Sequence, residues 1–234
     1  MKKITVSFLF LLFGPGITTL SSHGVKTVLA INKDYEIEQS WEQLIPEDVR
    51  PEFKPFYYAV KGYWALRNSD QLTNIHYLTI IDFSLASSEK RLWVVDMRSN
   101  QIVERSLVSH GKNSGLYEAH SFSNIPGSHK SSLGFYLTGK AYEGKHGYSL
   151  RLTGLEKGIN DNAEERAIVI HSASYATKSF VEQYGRLGRS YGCLALSPLS
   201  NRTIIPEIKN KSCLFIYYPD KGYLQKSRFL SSVE

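Results

Sequence analysis

Two side chains in this sequence have the types needed for a thiol nucleophile and its base. Cys193 ends the stretch Gly188-Arg189-Ser190-Tyr191-Gly192-Cys193, and His171 lies 22 residues earlier, after the apolar run Arg166-Ala167-Ile168-Val169-Ile170. A thiol of ordinary pKa, about 8.5, is only a few per cent thiolate at neutral pH, so a working cysteine needs an imidazole, a cation or a helix N-terminus beside it. A histidine ending a strand can be held by a backbone carbonyl through one ring nitrogen while the other faces the sulfur. A strand-end histidine that merely satisfies its own hydrogen bonds has the same local sequence. Gly188 and Gly192 permit close backbone approach and unusual dihedrals, and the amides of Tyr191, Gly192 and Cys193 are candidate donors to a developing oxyanion. Gly192, Tyr191, Ser190 and Arg189 make up the candidate oxyanion and substrate-binding set, with Arg189 suited either to a substrate carboxylate or to capping local carbonyls.

Other chemistries find less support. The second cysteine, Cys213, sits in the apolar run Ser212-Cys213-Leu214-Phe215-Ile216-Tyr217-Tyr218, where a free thiol behaves as a small buried hydrophobe. A Cys193–Cys213 bridge would remove the nucleophile, and the arginine-flanked glycine turn around Cys193 argues for a free thiol there. No H-x-x-x-H or C-x-x-C spacing occurs, so neither a metal nor another cofactor is expected. The formal charge is +6, or +4 without Lys2 and Lys3, with basic residues scattered along the chain. That argues against a nucleic-acid partner and is compatible with an anionic polymer of the cell envelope.

These residues need a scaffold. Met1-Lys2-Lys3, the apolar run from Ile4 to Phe13 and Gly14-Pro15-Gly16 have the layout of a secretory signal, placed over residues 1–22. A helical segment is expected over 30–75. In it, Ile37, Trp41 and Leu44 fall at helical spacing, and Phe53, Phe56, Tyr57, Val60, Tyr63, Trp64 and Arg67 form an aromatic stripe behind Pro51. From His76 the period changes to that of strands, expected at Tyr77–Asp82, Arg91–Asp96, Ile102–Ser109, Gly134–Thr138, Ser149–Leu152, Ala167–His171 and Cys213–Tyr218. The polar loop Gly111–Ser132, with His120, Asn124 and His129, is a candidate groove wall, although His129 reads as loop surface. A helix is expected over Leu199–Ile208. The fold class is mainly β, with a short N-terminal helical segment and one domain over 76–220.

His171-Ser172 followed by Leu187-Gly188-Arg189-Ser190-Tyr191-Gly192-Cys193-Leu194 resembles the signature of the murein L,D-transpeptidase (YkuD-like) catalytic domain. Ile80-Ile81-Asp82-Phe83-Ser84, Ser131-Ser132-Leu133-Gly134-Phe135-Tyr136, Gly144-Lys145-His146-Gly147 and Asn160-Asp161-Asn162-Ala163 agree with the same family. The resemblance implies a β-sandwich catalytic domain that transfers acyl groups on peptidoglycan stem peptides, exported to the periplasm or cell envelope and acting as a monomer. In that reading Cys193 is the nucleophile, His171 the base, and the Ser172 main chain orients His171. The acceptor is an amine of a neighbouring stem or of an envelope protein. Water as acceptor would make the protein an L,D-carboxypeptidase, and loss of turnover a cell-wall binding module. Two positions depart from the pattern: Tyr191 stands where a histidine is usual, and Ala195 where Arg or Asn is usual. The first leaves His171 as the sole histidine of the motif, and the second puts acceptor preference in doubt.

Overall fold

The computed structural model describes residues 33–230; the signal-type segment expected over 1–22 lies outside the described residues. The chain divides into two units, 1–36 and Ile37–Glu234, and the sheet belongs to the second. Among the described residues, no helix is long and apolar enough to cross a membrane.

The mainly-β fold expected from the sequence is present as one continuous sheet of eight strands. In chain order these are β1 Tyr77–Asp82, β2 Leu92–Asp96, β3 Gln101–Ser106, β4 Gly134–Gly144, β5 Gly147–Gly154, β6 Val169–Ser172, β7 Leu194–Leu196 and β8 Cys213–Tyr217. Their spatial order is β3-β2-β1-β8-β4-β5-β6-β7. The centre is β8, parallel to β1 and antiparallel to β4, with all five residues buried. Covered on both faces, it reads as an unbroken apolar run, without the alternation of a half-exposed strand. Cys213 is part of that run, fully buried and unbridged.

Residues 33–42 are helical (α1). Helix α2, Phe53–Asn68, lays Phe56, Ala59, Val60, Tyr63 and Leu66 into the core. At Gly62 a β-carbon would stand 2.1 Å from the Phe135 ring of β4, so this crossing tolerates only glycine at the contact. The aromatic stripe needs two corrections. Trp64 is exposed, stacked under Arg67 on the solvent side, and the buried face is rotated toward Ala59 and Leu66. Pro51 lies ahead of the helix, whose first turn holds Pro55 instead.

Other strand and helix expectations shift for non-local reasons. β3 ends at Ser106, where residues 107–111 leave the sheet to run beside the turn before β7: the Ser109 amide donates to the Ala195 carbonyl and the Ser190 amide to the His110 carbonyl, each at 3.0 Å. β6 starts at Val169, since Ala167 has φ +52° and cannot extend the strand. Helix α3, Lys178–Tyr184, has no counterpart among the expected elements, although Thr177 caps its start and Gly185, at φ +69°, its end. Helix α4 runs over Pro198–Ile208 with Pro206 inside it, and α5 over Lys221–Lys226.

Candidate active site

The 22-position separation of His171 and Cys193 is closed by a parallel strand pair. β6 and β7 pair with His171 opposite Ala195 and Ile170 opposite Leu194. Register partners project to the same face, and so do residues two apart along a strand. Cys193 lies immediately before β7, two residues ahead of Ala195, so the pairing sets it roughly 7 Å along the strand direction from the level of His171. Both line a cleft of about 840 Å³. Ala195, opposite His171 in the register, is fully buried.

His171 is 4% exposed, and its Nδ1 lies 2.9 Å from the Ser172 carbonyl. A carbonyl only accepts, so Nδ1 carries the proton and Nε2 has the free lone pair. Ser172 thus meets its expected partner through its main chain, and its side chain does not line the cleft. Burial pushes the His171 pKa below the ordinary histidine value; the Ser172 carbonyl opposes this and His146 adds to it. Burial pushes the Cys193 thiol up, offset in part by the Val169 amide and by the charges of Arg166 and Lys145. Both directions favour the uncharged forms, thiol and neutral imidazole. The sulfur's hydrogen bond is a long one, 3.5 Å, to the Ala167 carbonyl.

The turn before Cys193 is braced from within. Ser190 Oγ donates to the Cys193 carbonyl at 2.7 Å and accepts from the Gly192 amide at 3.1 Å. Its side chain is spent on the turn. The Gly192 amide is likewise engaged, which takes it out of the candidate oxyanion set. Gly192 has φ +119°, and a β-carbon there would meet the Lys130 carbonyl oxygen at 2.8 Å and Ile168 Cδ1 at 2.9 Å. Gly192→Ala is expected to shift the turn and cut thiol reactivity toward an acyl donor roughly 100-fold, the scale of a 1 Å misplacement. Comparing acylation rate with thermal stability separates this from unfolding.

Arg189 caps local carbonyls, Nη1 donating to the Lys112 carbonyl at 2.9 Å and the Gly115 carbonyl at 3.1 Å, and the residue lines the cleft. Tyr191 is 68% exposed and stacks on His129 with ring centroids 4.2 Å apart, so His129 supports the cleft wall. From the loop Gly111–Ser132 only Lys112 lines the cleft directly. Asn124 instead ties the loop to Asp161 and Asn162. Arg166 pins the same loop, donating to the Ser123 carbonyl at 2.7 Å and to the Lys130 carbonyl. Behind the turn, buried His110 accepts from Arg91 at 2.8 Å; burial and the Arg91 charge push its pKa down to about 3, keeping it neutral.

The second wall is the β4–β5 hairpin tip, with Tyr142, Gly144, Lys145 and His146. Residue type and spacing alone assign these side chains no role, although Gly144 to Gly147 belong to the family resemblance. The His146 ring lies 4.7 Å from that of His171, centroid to centroid. His146→Ala is expected to uncover the imidazole and raise the His171 pKa, moving the acid limb of any His171-dependent rate to higher pH. An NMR titration of the His171 ring checks this. Among the described residues, no group of three or more His, Cys, Asp or Glu side chains stands together to hold a metal ion.

No curated protein matches the chain. Solved structures similar to it include an L,D-transpeptidase from Mycobacterium smegmatis, 13% identical, covering 61% of this chain and 59% of that one at a TM-score of 0.39. L,D-transpeptidase 1 of Mycobacterium tuberculosis is 11% identical, covering 61% and 62% at 0.34. An L,D-transpeptidase (Yku) from Stackebrandtia nassauensis is 12% identical, covering 85% and 91% at 0.38. The chain spans about three fifths of the length of the first two. Residues 48–217, well over half of the chain and inclusive of α2, β1 to β8, His171 and Cys193, match the profile of the L,D-transpeptidase catalytic domain, so the chain belongs to that YkuD-type family.

Proposed function

We propose that this protein is a cysteine L,D-transpeptidase that cross-links or remodels peptidoglycan through a thioester acyl-enzyme. The observation that carries the reading is that Cys193, immediately before β7, and His171, in the paired strand β6, line one cleft, with the His171 ring held through Nδ1. His171 Nε2 takes the thiol proton as Sγ attacks the carbonyl between the third stem residue and the terminal D-alanine. The main-chain amides of Tyr191 and Cys193 stabilise the oxyanion. The imidazolium then returns the proton to the leaving amine, the C–N bond breaks and D-alanine departs, leaving a thioester on Cys193. An amine from a second stem or from an envelope protein attacks the thioester, loses its proton to His171 and releases the thiol. A neutral pair suits this order, because charge separates only as the donor closes the cleft.

The same reading has residues 1–22 act as a secretory signal, placing the domain over 76–220 and its helical lead-in over 30–75 in the periplasm or cell envelope as a monomer. Intact-mass measurement after incubation with a tetrapeptide donor tests the chemistry. The expected result is a tripeptide acyl adduct on Cys193, followed by joined stems. Tripeptide and free D-alanine alone would identify an L,D-carboxypeptidase. Stem binding with no adduct under any condition would overturn the enzyme reading in favour of a binding module.

A further inference from the structure

The cleft has a charge pattern unlike that of the chain as a whole. The sequence carries 28 Lys and Arg against 22 Asp and Glu, close to balance. Of the fifteen residues lining the cleft, four are Lys or Arg and none is Asp or Glu. The four stand on the two walls of the cleft. Lys112 and Arg189 stand on the side of the turn, joined through the Gly111–Ser190 bridge. Arg166 is on that same side, its guanidinium bonded to the Lys130 carbonyl beside Gly192, and Lys145 is on the opposite wall, at the hairpin tip.

None of these cations is neutralised. Among the described residues the ion pairs are Arg50 with Glu47, Arg98 with Asp96 and Lys178 with Glu182, all elsewhere. Arg166 is held by carbonyl and hydroxyl oxygens, which leave its charge intact. Arg189 is held through Nη1 alone. Lys112 and Lys145 are exposed, and their ammonium groups make no hydrogen bond or ion pair among the described residues. A concave site with uncompensated cations on both walls concentrates field and selects anions.

We propose that the cleft selects acyl donors carrying free carboxylates on both sides of the scissile carbonyl, and discriminates against stems whose carboxylates are amidated. The scissile-carbonyl clause rests on the acyl-transfer reading above; the selection of anionic peptides rests on the charges alone. The leaving alanine's carboxylate meets one cationic wall, and the carboxylates of the acyl side meet the other. The two-sided placement is the specific content, because a net positive surface would favour any anion at any position.

The test uses three tetrapeptide stems: one with all carboxylates free, one amidated on the acyl side and one amidated at the terminal alanine. Acylation of the wild-type protein is followed by intact mass, and binding to Cys193→Ala by calorimetry, at low and high salt. Each masked carboxylate is expected to lower affinity and acylation rate roughly fivefold, the upper range for an exposed ion pair, with the difference fading as salt rises. Lys112→Glu with Lys145→Glu is expected to erase or reverse the preference while leaving the fold intact, since both side chains are exposed. Equal or tighter binding of the amidated stems overturns the proposal, and so does a preference that the double reversal does not move. A binding preference with no acylation of the wild type would retain the anion-selective cleft and remove the acyl-transfer reading. Equal acylation of all three donors would do the reverse, and no binding of any stem removes both.

Discussion

Cys193→Ala is expected to abolish the covalent adduct with a tetrapeptide donor or with a carbapenem, an acyl-donor mimic, while leaving the fold intact. The residue is only half-buried, and its sulfur's hydrogen bond to the Ala167 carbonyl is long, at 3.5 Å. Removing it should change stability by no more than about 1 kcal/mol. Cys213→Ala is the matching control. That sulfur is fully buried in the central strand, so its loss should cost about 1–2 kcal/mol while the adduct still forms. Intact mass and thermal unfolding of both variants give a crossed pattern, chemistry lost in one and stability lost in the other. An adduct of unchanged mass in Cys193→Ala would sink the nucleophile assignment.

His171→Gln is expected to lower the acylation rate by roughly 10²- to 10⁴-fold, the usual contribution of a positioned general base. The shape of the pH profile carries more information than the loss itself. In the wild type the base must be neutral, and burial holds its pKa below the ordinary histidine value, so the acid limb of kcat/KM should fall below the usual histidine range. The thiol is pushed up by burial, so the alkaline limb should lie above the usual thiol range, leaving a broad plateau between them. Without His171 the remaining route is attack by thiolate formed through bulk titration, and the rate should climb with pH with no plateau below the thiol pKa. A variant that keeps the plateau, or loses less than about threefold, would remove His171 from the base role.

The two shifts favour uncharged partners over a preformed thiolate–imidazolium pair. Arg166, Lys145 and the Val169 amide favour the thiolate, and burial outweighs them. The His146 ring over His171 works in the same direction on the base. On the proposed mechanism, both features make proton transfer wait for a donor, which limits attack on chance electrophiles.

Much of this was legible in the chain without coordinates. The Gly188–Cys193 turn, a histidine closing an apolar run, a mainly-β pattern after His76 and an amphipathic helix near residue 60 are local signals, set by side-chain periodicity and turn chemistry over a few residues. Other features depended on contacts between distant segments. Ser131 Oγ reaches the Gly192 carbonyl across 61 residues of sequence, and the Leu187 amide reaches Ser87 Oγ across 100. No local pattern encodes such pairings. The same holds for the burial that sets both pKa directions, for the commitment of Ser190 and the Gly192 amide to the turn itself, and for the hairpin that brings His146 and Lys145 over the cleft. The residue types and their chemistry come from the local sequence. Which lone pairs, amides and charges remain free to act is decided by long-range packing, because hydrogen bonding and desolvation depend on what surrounds a group in space.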